Sequence, residues 1–261
     1  MSGTIRLGGM ALGNGVLVHG PTAWACAIRT ETGEVKVVAR RKGLRASRIA
    51  NPLLRGPAKL AEAFALLPQV KRALPEARLP FERPRVLGAM LGSVVAGSLV
   101  RRSKLRTGSQ ELISALLSVA PAVLALRGGE LAAYHGAEHI TIGGYEHGEA
   151  RPKEHERCGS HLLGPLLVTS AMANVATRHV PEASQKAARA AGALGAVAAS
   201  TELFGWMTRN PDHVLARALA RPGHELQHRF ATAEPNEWQL EVADAALRAC
   251  LELEHAAAAA A

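Results

Sequence analysis

Residues 4–40 read TIRLGGMALGNGVLVHGPTAWACAIRTETGEVKVVAR. Short apolar or alternating runs at Thr4–Leu7, Gly15–His19, Trp24–Arg29 and Val35–Arg40 are separated by Gly8-Gly9, Gly13-Asn14-Gly15, Gly20-Pro21 and Thr32-Gly33. Runs of this length, bounded by glycine and proline, are the pattern of strands joined by tight turns. ETGE at 31–34 reads as the hairpin turn between the last two runs. The stretch predicts a small antiparallel sheet of about four strands.

Beyond residue 43 the pattern turns helical. Ala58–Leu67 has helical composition, with Pro57 placed where a first helical turn accepts it. Pro75, Pro80 and Pro84 then break the chain into a linker. Four low-charge segments follow: Val86–Val100, Leu112–Leu126, Gly159–Thr177 and Ala190–Thr208. Residues 210–234 read as polar and loop-rich, and Pro235 opens an amphipathic helix near 236–256. The expected organisation is an N-terminal β region at 1–43 and a basic helical segment with linker at 44–85. An apolar helical body at 86–209 and a C-terminal loop and helix at 210–261 complete it. The fold class is α+β, a small antiparallel sheet packed beside a predominantly helical body.

The 261-residue chain is long enough to bury a sizeable core. Hydrophobic residues make up 48% but aromatics only 3%, so the apolar mass is aliphatic and small. Such a composition suits close-packed helices in bundles or in membranes. The net charge is +9, with much of the excess between residues 40 and 106. A basic face attracts anionic lipid or nucleic acid. The scarcity of aromatics argues against stacking-based recognition of single-stranded nucleic acid, so a membrane or anionic lipid surface is the expected partner. The first two apolar segments have about 15 residues and reach roughly 22 Å, short of a hydrocarbon core. They predict a re-entrant or interfacial hairpin, or the core of a bundle. Cys26, Cys158 and Cys250 form no disulfide framework, which points to a reducing compartment or a cytosolic face. The opening residues lack a basic region followed by an apolar run, so no cleavable signal peptide is expected.

The chemistry concentrates at LAAYHGAEH, residues 131–139. On a helix, His135 and His139 share a face, as a chelating pair must, and Glu138 lies within about 100° of both. The spacing H-x-x-E-H is that of the inverted zincins, in which two histidines bind zinc and the glutamate activates water. The next residues carry Glu146, His147, Glu149, Glu154, His155, Glu156, Cys158 and His161. His155 and Cys158 are the leading candidates for a third ligand, with Glu146 next. His147 and Glu149 are expected at the surface. His224 and His228 in RPGHELQH have the direct zincin spacing, but the preceding Pro222-Gly223 favours a loop-edge or outer role. No phosphate loop and no G-x-S-x-G elbow is present.

YHGAEH at 134–139, YEHGE at 145–149 and HERCGS at 155–160 resemble the YqhQ-like bacterial family. LGGMALGNGVLVHGP, AIR at 27–29, PLLRG at 52–56, PGHELQ at 222–227 and TAEPNEWQLEVA at 232–243 extend the resemblance in order along the chain. That family is a domain of unknown function, labelled a metal-dependent enzyme and drawn as a multi-pass membrane protein. The resemblance implies one polar site containing His135, Glu138, His139, Glu146, His155, Arg157 and Cys158, with Glu234, Gln239 and Glu241 joining it or fixing the C-terminal segment. The family opening has Gln, Glu and Arg where this chain has Met10, Asn14 and His19; if those residues touch substrate in relatives, the departure implies different specificity or reduced activity.

The expected function is metal-assisted hydrolysis at the cytoplasmic membrane. His135, His139 and one of His155, Cys158 or Glu146 bind zinc; Glu138 is the general base and Arg157 steadies an oxyanion. The alternative expectation is a non-catalytic membrane scaffold or assembly protein with a structural metal site.

Overall fold

Four strands form an antiparallel meander in the order β1-β2-β3-β4: β1 Gly8–Leu12, β2 Gly15–His19, β3 Ala23–Arg29 and β4 Val35–Arg41. They belong to a computed structural model that describes residues 4–43, 46–126, 129–177 and 180–259. Leu12 pairs with Gly15, so Gly13-Asn14 is a two-residue turn. The Asn14 side chain donates to the Arg29 and Glu76 carbonyls and accepts from Arg78 N. Gly33 takes a left-handed φ of 87° in the β3–β4 turn, a conformation that favours glycine.

The strands alternate between two cores. Ala11, Val16, Val18, Ala25 and Ala27 face one apolar cluster, and Leu12, Leu17, Trp24, Cys26 and Ile28 face another. Successive strand side chains point to opposite faces, so a sheet covered on both sides reads as near-continuous apolar runs.

The first strand departs from the sequence expectation. It runs from Gly8 to Leu12, not from Thr4 to Leu7, and Gly8-Gly9 is part of it. A Cβ on Gly8 would lie 2.8 Å from His19 Nε2, and one on Gly9 only 2.2 Å from Glu138 Oε1. These glycines admit neighbouring side chains and make no turn. Residues 4–7 lie instead along a helix, with Ile5 N donating to Tyr145 Oη at 3.2 Å.

The helices are α1 Pro52–Ala73, α2 Pro84–Arg102, α3 Thr107–Leu126, α4 Glu130–His147, α5 Leu163–Thr177, α6 Glu182–Arg209, α7 Val214–Leu226 and α8 Glu237–Ala259. Among the described residues, no single helix is long and apolar enough to cross a membrane. The chain forms two compact units, and α1 is divided between them. The first takes the described parts of Met1–Arg45, Leu66–His155 and His228–Ala261; the second takes those of Ala46–Ala65 and Glu156–Gln227.

In the first unit, α4 and α8 cover one face of the sheet through Leu131, Tyr134, Ala137, Val242, Ala246 and Cys250, while Leu66, Leu67, Val70 and Leu74 cover the other. Glu254 on α8 fastens the β2–β3 turn, accepting from Thr22 N and Ala23 N at 2.7 Å each and from Thr22 Oγ1 at 2.8 Å.

In the second unit, glycines let backbones meet. A Cβ on Gly164 of α5 would lie 2.0 Å from Leu219 O of α7. Part of residues 210–234, expected as loop, is the helix α7. Its Ala216, Leu219 and Gly223 are buried one helical turn apart, and tertiary packing of this stripe carries Pro222 inside the helix.

Candidate metal centre

Helix α4 is buried along most of its length between β1 and α8. It ends at Gly148, which adopts the left-handed conformation and donates to Gly144 O. His135 and His139 lie on one face, with ring centroids 4.3 Å apart. A ring nitrogen of one lies within 4.8 Å of a ring nitrogen of the other.

The glycine inside the motif has a specific cause. A Cβ on Gly136 would stand 2.1 Å from Ala233 O, so only glycine admits the chain crossing α4 there. That crossing is held by Ala233 N donating to Ala132 O at 2.9 Å. It brings Ala231 O to His135 Nδ1 at 2.8 Å. On the next turn, the loop after α4 folds back over Gly143, where a Cβ would lie 3.2 Å from Arg151 Cβ and 3.4 Å from His155 Cδ2. This return brings Lys153 O to His139 Nδ1 at 2.5 Å. A carbonyl only accepts, so both histidines carry their proton on Nδ1 and, when neutral, have Nε2 unprotonated. Metal-binding histidines are oriented in this way by their outer partners.

Two carboxylates and a third imidazole complete the cluster in this unit. Glu138 is buried, with Oε2 4.0 Å from His135 Nε2, and its carboxylate fills the space left by Gly9. The His155 ring lies 5.5 Å from that of His139, and its Nε2 is 3.5 Å from Glu146 Oε2. Leu7 N approaches Glu146 Oε1 at 3.5 Å, which ties the start of the sheet to the same carboxylate. The unit thus brings together His135, Glu138, His139, Glu146 and His155. Imidazole and carboxylate donors of this kind fit a zinc-type divalent ion.

Arg157 and Cys158 belong to the second unit. Cys158 precedes a short helical turn, Gly159–Leu162, and its carbonyl accepts from His161 N. His147 and Glu149 are exposed, as expected. Among the described residues, no candidate group of three or more metal-binding side chains includes His224 or His228. α7 ends at Leu226 and the backbone enters a π turn over Gln227–Ala231, which contains His228. His228 Nδ1 instead meets Glu154 Oε1 at 2.9 Å, next to the Lys153 carbonyl that holds His139. Burial opposes ionisation of Glu154, but the His228 hydrogen bond and nearby Lys153 hold its carboxyl below the usual range. Gln239 forms a capping pair with Asn236, and Glu241 pairs with Arg29 at 2.6 Å, so both fix the C-terminal segment. The residues that sequence reasoning missed are Gly9, Gly136 and Gly143 as space-makers, and Ala231 and Lys153 as carbonyl anchors.

Residues 129–253 match a family described as a protein of unknown function (DUF1385). The match runs from the start of α4 into α8 and includes every residue of the cluster. No curated protein and no solved structure matches the chain.

Proposed function

We propose that the chain is a zinc-dependent hydrolase of the YqhQ-like family, with His135 and His139 holding the ion through Nε2 and Glu138 acting as general base. The observation that carries this reading is the pair of Nδ1 hydrogen bonds to Ala231 O and Lys153 O, which favour the tautomer with Nε2 as the ligating nitrogen in two imidazoles on one helix face. His155, beside His139 and Glu146, is the third donor favoured by the first unit. Cys158, three residues further along the chain, and Glu146 are the alternatives. A bound zinc ion supplies Lewis-acid polarisation and a water whose pKa falls to about 7. Glu138 Oε2 takes a proton from the attacking water. Its buried seat against Gly9 fixes the carboxylate before substrate arrives. Arg157 takes the oxyanion role on the strength of the sequence pattern. Location at the cytoplasmic membrane face belongs to the same proposal. The outward Leu91, Met172 and Leu194 support it, and extraction without detergent tests it.

One observation favours a structural metal instead. The contacts at Gly143, Lys153 O and Glu146 fasten the loop after α4 onto that helix, as a structural ion in a scaffold would. Glu138→Gln separates the two readings. As a hydrolase, the variant keeps its zinc and loses turnover of p-nitrophenyl esters and phosphates by about a hundredfold. Turnover equal to that of the zinc-loaded wild type removes the catalytic reading.

A further inference from the structure

Away from the histidine cluster, α2, α3 and the turn at Pro80-Phe81 enclose an open cavity of about 580 Å³. That volume falls within the range of roughly 300–1,000 Å³ typical of small-molecule sites. Its walls are apolar, with Val86, Met90, Val94, Pro121 and Ala125 among them. Val86 and Ala125 also belong to the core that contains Tyr134 and Ala137 of α4, so the floor is anchored to the rigid part of the unit.

Four polar side chains, Ser93, Arg101, Ser114 and Ser118, break this lining, and two of them stand out. Arg101 is its only charged residue and makes no ion pair among the described residues. Its guanidinium folds back along α2, where a Cβ on Gly97 would lie 3.4 Å from Nη1. Ser114 Oγ is buried at the cavity and has no hydrogen-bond partner among the described residues. A buried hydroxyl without a partner carries a desolvation cost that a ligand oxygen would remove.

We propose that this cavity binds a single-chain amphiphile with a carboxylate head, of the long-chain fatty-acid class. The tail lies against the apolar walls, Arg101 takes the carboxylate through its planar fork, and Ser114 is the candidate second donor. With one guanidinium as the lining's sole charge, the site balances a singly charged carboxylate better than a doubly charged phosphate. The site is separate from the proposed zinc ligands, so its test does not depend on them.

The test is calorimetric titration of the full-length chain, free of detergent, with dodecanoate below its micelle concentration and with dodecanol. Dodecanoate is expected to bind saturably, and dodecanol about tenfold more weakly, the scale of a lost charge-assisted hydrogen bond. Arg101→Gln should abolish that preference. Gly97→Leu should abolish binding of both while raising helix propensity, and Val94→Trp is the second blocking variant should Gly97→Leu fail to fold. Equal affinity for the two ligands in the wild type overturns the proposal, as does unchanged dodecanoate binding in a folded blocking variant. Absence of dodecanoate binding also overturns it; phosphatidylglycerol vesicles that then sediment the protein would assign this face to a bilayer. The His135→Ala/His139→Ala variant should bind dodecanoate like the wild type.

Discussion

Gly136→Ala isolates the link between the helix and the orientation of His135. On propensity alone, alanine in a helix interior gains about 1 kcal/mol over glycine. Here the new Cβ would stand 2.1 Å from Ala233 O, a backbone atom, and must push that segment away by about 1 Å to reach ordinary contact. The movement strains two hydrogen bonds, Ala233 N to Ala132 O and His135 Nδ1 to Ala231 O. Each is worth about 1 kcal/mol net, and more where a buried group is left unsatisfied. The expected result is a net loss of about 1–3 kcal/mol in urea unfolding of the metal-free protein. Zinc affinity, read by competition with a fluorescent chelator, should fall by about 10–100-fold because His135 loses its outer partner. Gly144→Ala is the control on the same helix. Its Cβ meets only Glu149 O, at 3.6 Å, so it should gain about 1 kcal/mol with zinc affinity unchanged. A Gly136→Ala protein that is stabilised like the control and binds zinc normally refutes the reasoning.

Gly9→Ala should cost about 1–3 kcal/mol by crowding the Glu138 carboxylate, and Glu138→Ala in the same chain should relieve at least about 1 kcal/mol of that in a double-mutant cycle. Independent, additive effects would show that Gly9 does not seat Glu138. Glu254→Ala removes the acceptor of three hydrogen bonds at the β2–β3 turn and should lower unfolding stability by about 2–4 kcal/mol; a loss below about 0.5 kcal/mol contradicts the anchoring role. Burial pushes the thiols of Cys26 and Cys250 up to about 12, from an ordinary value of 9.0. Both should resist a disulfide reagent at pH 8 until urea is added. The unfolded thiols release protons first, so stability should fall as pH rises from 9 toward 12. Rapid native labelling of either cysteine would contradict this.

The sheet was legible because its apolar runs are short, punctuated by glycine and buried on both faces, a pattern that few other arrangements produce. The Gly8-Gly9 doublet was misread because a glycine that makes a turn and one that admits a neighbouring side chain look the same in sequence. Helix α7 was hidden by Pro222-Gly223. Gly223 is there because a Cβ would lie 2.5 Å from Ser160 O. At the site, the spacing of His135, Glu138 and His139 was legible because a helix fixes which residues share a face. Glu146 and His155 were recognisable as chemistry close along the chain, but their mutual contact depends on a loop returning over Gly143. The carbonyl anchors at Ala231 and Lys153 were invisible, because a backbone oxygen carries no residue identity.

The zinc content of the purified full-length chain, after loading and desalting, bears most directly on the paired imidazoles. Measured beside a His135→Ala/His139→Ala variant with the same circular dichroism spectrum, stoichiometric zinc should remain with the wild type and none with the variant. Equal zinc in the two proteins, or none in either, would contradict a metal held between His135 and His139.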